Sequence, residues 1–175
     1  MTTGSVFGPA LAAARLTANA EVFQALVGGV PDEQARWKPE PSQWSILEVV
    51  NHLADEEVED LRRRLELTLS QPDQPWPPID PQGWPAARGY DGRGLADSLA
   101  RFLEERGRSV AWLGGLVASD LAAAHQHPTI GTLRAGDLLA SWLAHDLIHI
   151  RQITRLHHRW LERAAPYRLD YAGPF

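Results

Sequence analysis

The chain has 175 residues, 44% hydrophobic and 22% charged, with a formal net charge of −5 and no cysteine. This balance excludes intrinsic disorder and a fibrous architecture and suits one globular domain over residues 1–175 with a core of its own. The acidic charge argues against a nucleic-acid partner, since there is no excess of Lys and Arg to displace counterions. Without cysteine there is no disulfide, no zinc–thiolate site and no protein thiol nucleophile.

The N-terminal stretch MTTGSVFGPALAAARL lacks a basic segment followed by an apolar one, and no run of about 18 apolar residues occurs, so the expectation is a cytoplasmic protein with no membrane partner. An Ala/Leu-rich helix is predicted from Pro9 to Val27, closed by Gly28-Gly29 and Pro31. The connection PDEQARWKPEPSQW is too rich in proline to be regular. A second helix opens at Ser45, which forms an S-x-x-E capping box with Glu48, and runs to about Ser70 on a stripe of Ile46, Val49, Val50, Leu53 and Leu61. Arg62, Arg63 and Arg64 on it read as a solvated face.

Residues 71–93 hold six prolines and can be neither helix nor central strand. Trp76, Ile79, Trp84 and Tyr90 within this crossover suggest that it packs onto the body. A third helix is predicted from Gly94 to Val117, with Leu95, Leu99, Phe102, Val110, Leu113 and Val117 on one stripe. The link HQHPTIGT reads as a loop with His125 and His127 exposed, and Thr132 as N-cap of the last helix. Four amphipathic helices with one long crossover predict an all-α fold, a four-helix bundle with a Pro/Trp-rich crossover between helices 2 and 3.

The last helix carries His145 and His149. At about 100° per residue an i, i+4 pair lies about 40° apart, so both imidazoles project from one face, shared with Leu138, Trp142, Ile153, Leu156 and Trp160. Two readings of the pair are open: core histidines satisfied by hydrogen bonds, or two ligands of one metal ion. A third donor is available in His52, at the edge of the second helix's stripe. His52, His145 and His149 together make three neutral nitrogen ligands, a number that leaves a position for water or substrate and suits zinc or nickel. His157 and His158 fall near the end of the last helix, where its dipole favours cations.

Several carboxylates lie close by in sequence. Glu56, one turn after His52, could touch the metal, orient the imidazole or act as a base. Glu57 sits on the apolar stripe and needs a partner, for which Arg106 on the third helix is the candidate. Asp146 is placed to hold a ligand imidazole by its free N–H. Trp44, Trp76 and Trp84 lie in or beside loops, either at a pocket mouth or packing the crossover.

The combination of SxxExxxHLAxxE in helix 2 with WLAHDLIHIRQI in the last helix resembles the DinB/YfiT-like superfamily, and the likeness spans almost the whole chain. It implies a four-helix bundle whose metal site takes one histidine from the second helix and two from the last, here His52, His145 and His149. It further implies a metal-dependent hydrolase or a thiol S-transferase in which the metal activates water or a low-molecular-weight thiol against a small electrophilic substrate, often in a homodimer. The other class is a non-catalytic bundle whose histidines hold a structural metal, or none, and which serves dimerisation or partner binding. A fourth protein ligand such as Glu56 would favour that class.

Overall fold

Helix α1 (Pro9–Val27) begins on its proline, whose fixed φ suits a first turn and whose missing N–H would have no partner there. It stops at Gly28-Gly29, where Gly29 adopts φ 78°, a left-handed conformation that a side chain would strain. The computed structural model describes residues 7–175; residues 1–6, on which the reading of the N-terminal stretch partly rests, lie outside them. The connection expected to be irregular contains one helical turn, α2 (Asp32–Arg36), because its prolines flank that turn without interrupting it.

The second long helix is continuous from Ile46 to Ser70 but not uniform. Helix α3 (Ile46–Glu56) starts from the predicted capping box: Ser45 Oγ accepts from the Glu48 N–H at 3.2 Å, and Glu48 Oε2 accepts from the Ser45 N–H at 2.8 Å. A π-helical turn (Glu57–Leu61) follows and then α4 (Arg62–Ser70). The wider turn shifts the helical phase, so Leu61, read as a stripe residue, is only half-buried and Leu65 takes the core position.

The crossover packs on the body through a short helix, α5 (Trp84–Ala87), and a 3₁₀ turn at Tyr90–Gly92. Asp55, buried on α3, ties it down, accepting from Tyr90 Oη at 2.5 Å, from Arg88 at 2.6 Å and from Arg101 of the third long helix. Burial pushes the Asp55 carboxyl up, but these three donors outweigh it and hold the group below 3.8. The pairing therefore stabilises the fold above the unfolded-state pKa and is lost as pH falls through the lower folded value. Asp55→Asn is expected to cost about 2–3 kcal/mol in urea unfolding at pH 7, discounted for the exposed Arg101, with the difference shrinking below about pH 4.

Helix α6 (Leu95–Leu113) ends at Gly114-Gly115, short of the predicted Val117, which is exposed. The link read as a loop is a β-hairpin: β1 (Ala124–His127) pairs antiparallel with β2 (Gly131–Arg134), with His125 opposite Leu133. His125 is accordingly buried, not exposed. Its Nδ1 lies 2.7 Å from Pro72 O and its ring stacks on Trp76 at 4.3 Å, which fastens the other end of the crossover. Helix α7 (Ala135–Ala164) is capped differently from the expectation: Asp137 Oδ2 accepts from the Arg134 N–H at 2.9 Å, while Thr132 lies in β2 and bonds Gln126.

The fold is a four-helix bundle of α1, α3–α4, α6 and α7. Two apolar clusters fill it. One holds Phe23, Val27, Val50, Leu53, Phe102 and Ile153; the other holds Leu16, Leu65, Leu113, Leu139 and Trp142. Between them in chain order each long helix contributes one polar residue: Asn19, Glu57, Arg106 and Asp146. Arg106 donates Nε to Glu57 Oε1 at 2.8 Å and both terminal nitrogens to Asp146 at 2.7 Å. Asn19 donates to Asp146 at 2.9 Å and Trp142 Nε1 to Glu57 at 3.0 Å. Burial works against the Arg106 cation, but Glu57 and Asp146 outweigh it and hold the charge. A layer in which each helix must present one matching group fixes their relative height.

Candidate metal centre

Every residue from Ile46 to Glu56 is buried, because α3 is covered on all sides by the other helices and the crossover. His52 therefore has no solvent to satisfy it, and it faces α7. Its ring centroid lies 4.9 Å from that of His149 and 5.5 Å from that of His145, with Trp44 at 4.7 Å and Trp84 at 6.2 Å walling it in. One ligand atom from each of the three histidines lies within 4.8 Å of the other two.

The imidazoles have little else to bond. His149 Nδ1–H donates to Gln152 Oε1 at 2.7 Å, which leaves its Nε2 lone pair 3.1 Å from His145 Nε2. Among the described residues His52 Nδ1 and His145 Nδ1 are buried with no hydrogen-bond partner. Burial, with the neighbouring His149, pushes His52 down to about 3; burial, then His149, His52 and Arg106, push His145 down to about 2. Burial lowers His149 as well, against the upward pull of Gln152 and Asp146. All three are thus held neutral, the form in which imidazole ligates a metal.

This donor set fits a divalent cation. Two nitrogens on one tetrahedral ion at about 2.0–2.1 Å stand about 3.3 Å apart, close to the separation of the His145 and His149 Nε2 atoms. An ion between them would take two Nε2 lone pairs that otherwise face each other, and imidazoles in an oily setting are costly unless something collects their lone pairs.

The carboxylates distribute otherwise than the sequence suggests. Asp146 gives both oxygens to Arg106 and Asn19 and holds no imidazole; one residue of helix turns it about 100° from His145 and toward the guanidinium. Glu57 pairs with Arg106 in the same layer, which reaches the histidines only through charge. Glu56 stays close, its Oε1 3.8 Å from His52 Nδ1, and burial followed by its neighbour Asp60 raises its carboxyl to about 9.

Gln152 had no place in the sequence reading, although an i, i+3 spacing from His149 was a signal available to it. His157 bridges helices, with Leu26 O at 2.8 Å from Nε2 and Gln34 at 2.8 Å from Nδ1, and His158 stacks on Phe175. A cavity of about 600 Å³ opens at His149, with Trp44, Gln152 and Leu156 in its wall. Of the loop tryptophans, Trp44 thus lines a mouth, whereas Trp84 is buried against His52 and Trp76 packs on His125.

Residues 15–153 match the family model of the DinB superfamily. The chain belongs to that superfamily. This DinB-superfamily chain is also similar to a solved structure, YfiT from Bacillus subtilis, with a TM-score of 0.79 at 24% sequence identity over 91% of either chain. That protein is described as a probable metal-dependent hydrolase with an unusual four-helix bundle topology. At this identity the likeness supports the shared fold. No curated protein matches the chain. No described helix is long and apolar enough to cross a membrane.

Proposed function

We propose that His52, His145 and His149 hold one divalent metal ion, zinc or nickel by donor type, and that the chain is a metal-dependent hydrolase or thiol S-transferase acting on a small electrophile. The observation that carries this reading is the convergence of three neutral imidazoles from two helices, His52 and His149 buried and His145 half-buried, with one ligand atom of each within 4.8 Å of the others. The cavity at His149 supports an open site over a closed structural one, since it brings a small molecule to one of the three histidines. The description of YfiT points the same way.

When bound, the ion would supply Lewis acidity, lowering the pKa of water or of a thiol toward neutrality. The protein's own groups do the rest. Gln152 fixes the His149 tautomer so that Nε2 faces inward. Trp44 and Trp84 keep water from the far side of His52. Glu56, its carboxyl raised by burial and by Asp60, lies beside His52 and is the group placed to move a proton there.

Protein purified without a nickel column, stripped with a chelator and reloaded with zinc or nickel, is the test material. Hydrolysis of 4-nitrophenyl acetate reports the hydrolase, and conjugation of a small thiol to 1-chloro-2,4-dinitrobenzene reports the transferase. We expect one of the two reactions to require the metal. If both proceed equally with stripped and reloaded protein, the enzyme reading gives way to a non-catalytic bundle. Gln152→Leu is expected to weaken metal affinity about 10–100-fold without changing helical content, as read by competition with a chromogenic chelator.

A further inference from the structure

The cavity that opens at His149 differs in charge from the rest of the molecule. The chain carries −5 overall, yet the cavity wall holds two cations, Arg155 and Arg159, against one acid, Glu40. The arginines lie one turn apart on α7, six and ten residues beyond His149, so on the helix they follow the candidate ligand outward. Arg155 makes no ion pair or side-chain hydrogen bond among the described residues, and Arg159 meets only Glu162 at 3.2 Å with more than half of its side chain exposed. Gln43, Gln82 and Gln152 add amides to the wall, and Trp44 adds an apolar face beside His52. A guanidinium without a carboxylate partner is a ready fork for a planar anion, and two in one concave wall strengthen each other's field there.

We propose that the substrate or cosubstrate of this site is a carboxylate-bearing small molecule, whose reacting group lies at the three histidines and whose carboxylate is held by Arg155, with Arg159 beside it. This rests on the metal-centre reading above. Arg155 and Arg159 are specificity residues at the distal end of the cavity and take no part in holding the ion. Arg155 stands about 9 Å beyond His149 along the helix axis, the rise of six residues, so a molecule that spans the site bridges about that distance less the reach of an arginine side chain.

The probes are 6-mercaptohexanoate and 6-mercaptohexanol, which share a thiol that would ligate the metal and differ only in the charge of the far end. Both are titrated calorimetrically into zinc-loaded wild type and into the Arg155→Gln/Arg159→Gln variant, after zinc content has been measured in each. The wild type should bind the acid at least about tenfold more tightly than the alcohol, a preference that weakens as salt is added. The variant should retain its zinc and its affinity for the alcohol while losing the preference. A wild type that takes up zinc but binds the two thiols equally, or neither, overturns this inference and leaves the metal centre standing, as does a variant that keeps the preference. A wild type that takes up no zinc overturns the metal centre and this inference with it.

Discussion

Arg106→Leu should cost about 3–5 kcal/mol of folding stability, because it leaves two carboxylates buried with no cation between them. Arg106 is 1% exposed and makes all of its polar contacts inside the bundle, to Glu57, Asp146 and the carbonyl of Leu16. Urea unfolding followed by circular dichroism reads the loss. Arg106→Lys should recover only part of it, since an ammonium cannot serve Glu57 and both Asp146 oxygens in one plane. Replacing Glu57, Arg106 and Asp146 together by apolar residues should cost far less than removing the arginine alone, because no uncompensated charge remains. An Arg106→Leu protein as stable as the wild type would mean that the layer does not set the height of the helices.

The second large effect is a trade of stability against function. His145→Leu should abolish metal-dependent turnover, a drop of at least about a hundredfold if the ion is lost from the site. The same variant, free of metal, should be more stable than the metal-free wild type by about 1–3 kcal/mol, since it removes a buried nitrogen with no partner. The pH dependence carries the same signature. The folded-state values of His52 and His145 lie near 3 and 2, below the ordinary 6.5, so on acidification the unfolded chain takes up protons that the folded chain refuses. Each such histidine therefore removes stability as pH falls below about 6.5, at a slope approaching about 1.4 kcal/mol per pH unit. Metal-free His145→Leu should lose stability less steeply than metal-free wild type between pH 6.5 and 4. A wild type more stable than the variant when both are metal-free would show that His145 is a satisfied core residue.

The long helices were legible because their signals are local: Pro9 and Gly28-Gly29 bound α1, and Ser45 with Glu48 opens α3. The pairing of Glu57 with Arg106 was legible too, because a charge on an apolar stripe demands an opposite charge on a facing one. What escaped depends on contacts distant in sequence or on competition between short signals. The hairpin at 124–134 has almost no apolar alternation, and its register comes from packing His125 under the crossover on Trp76. Thr132 lost the cap of α7 to Asp137 because the strand engages the threonine first. At the site, the i, i+4 spacing brought His145 and His149 onto one face, but it could not say that Asp146 turns away to Arg106, nor that Gln152 orients His149. The first depends on what stands opposite the side chain, which a single helix does not encode; the second lay within the helix, in the i, i+3 spacing of His149 and Gln152.

The proposed chemistry turns on one ion held by three imidazoles. Zinc binding by protein purified without a nickel column, measured by competition with a chromogenic chelator in the wild type and in His52→Ala, His145→Ala and His149→Ala, tests this most directly. We predict one zinc per wild-type chain, and an affinity at least about a hundredfold weaker in each variant with helical content preserved. A wild type that takes up no zinc, or any one variant that binds it as tightly as the wild type, would contradict the three-histidine centre.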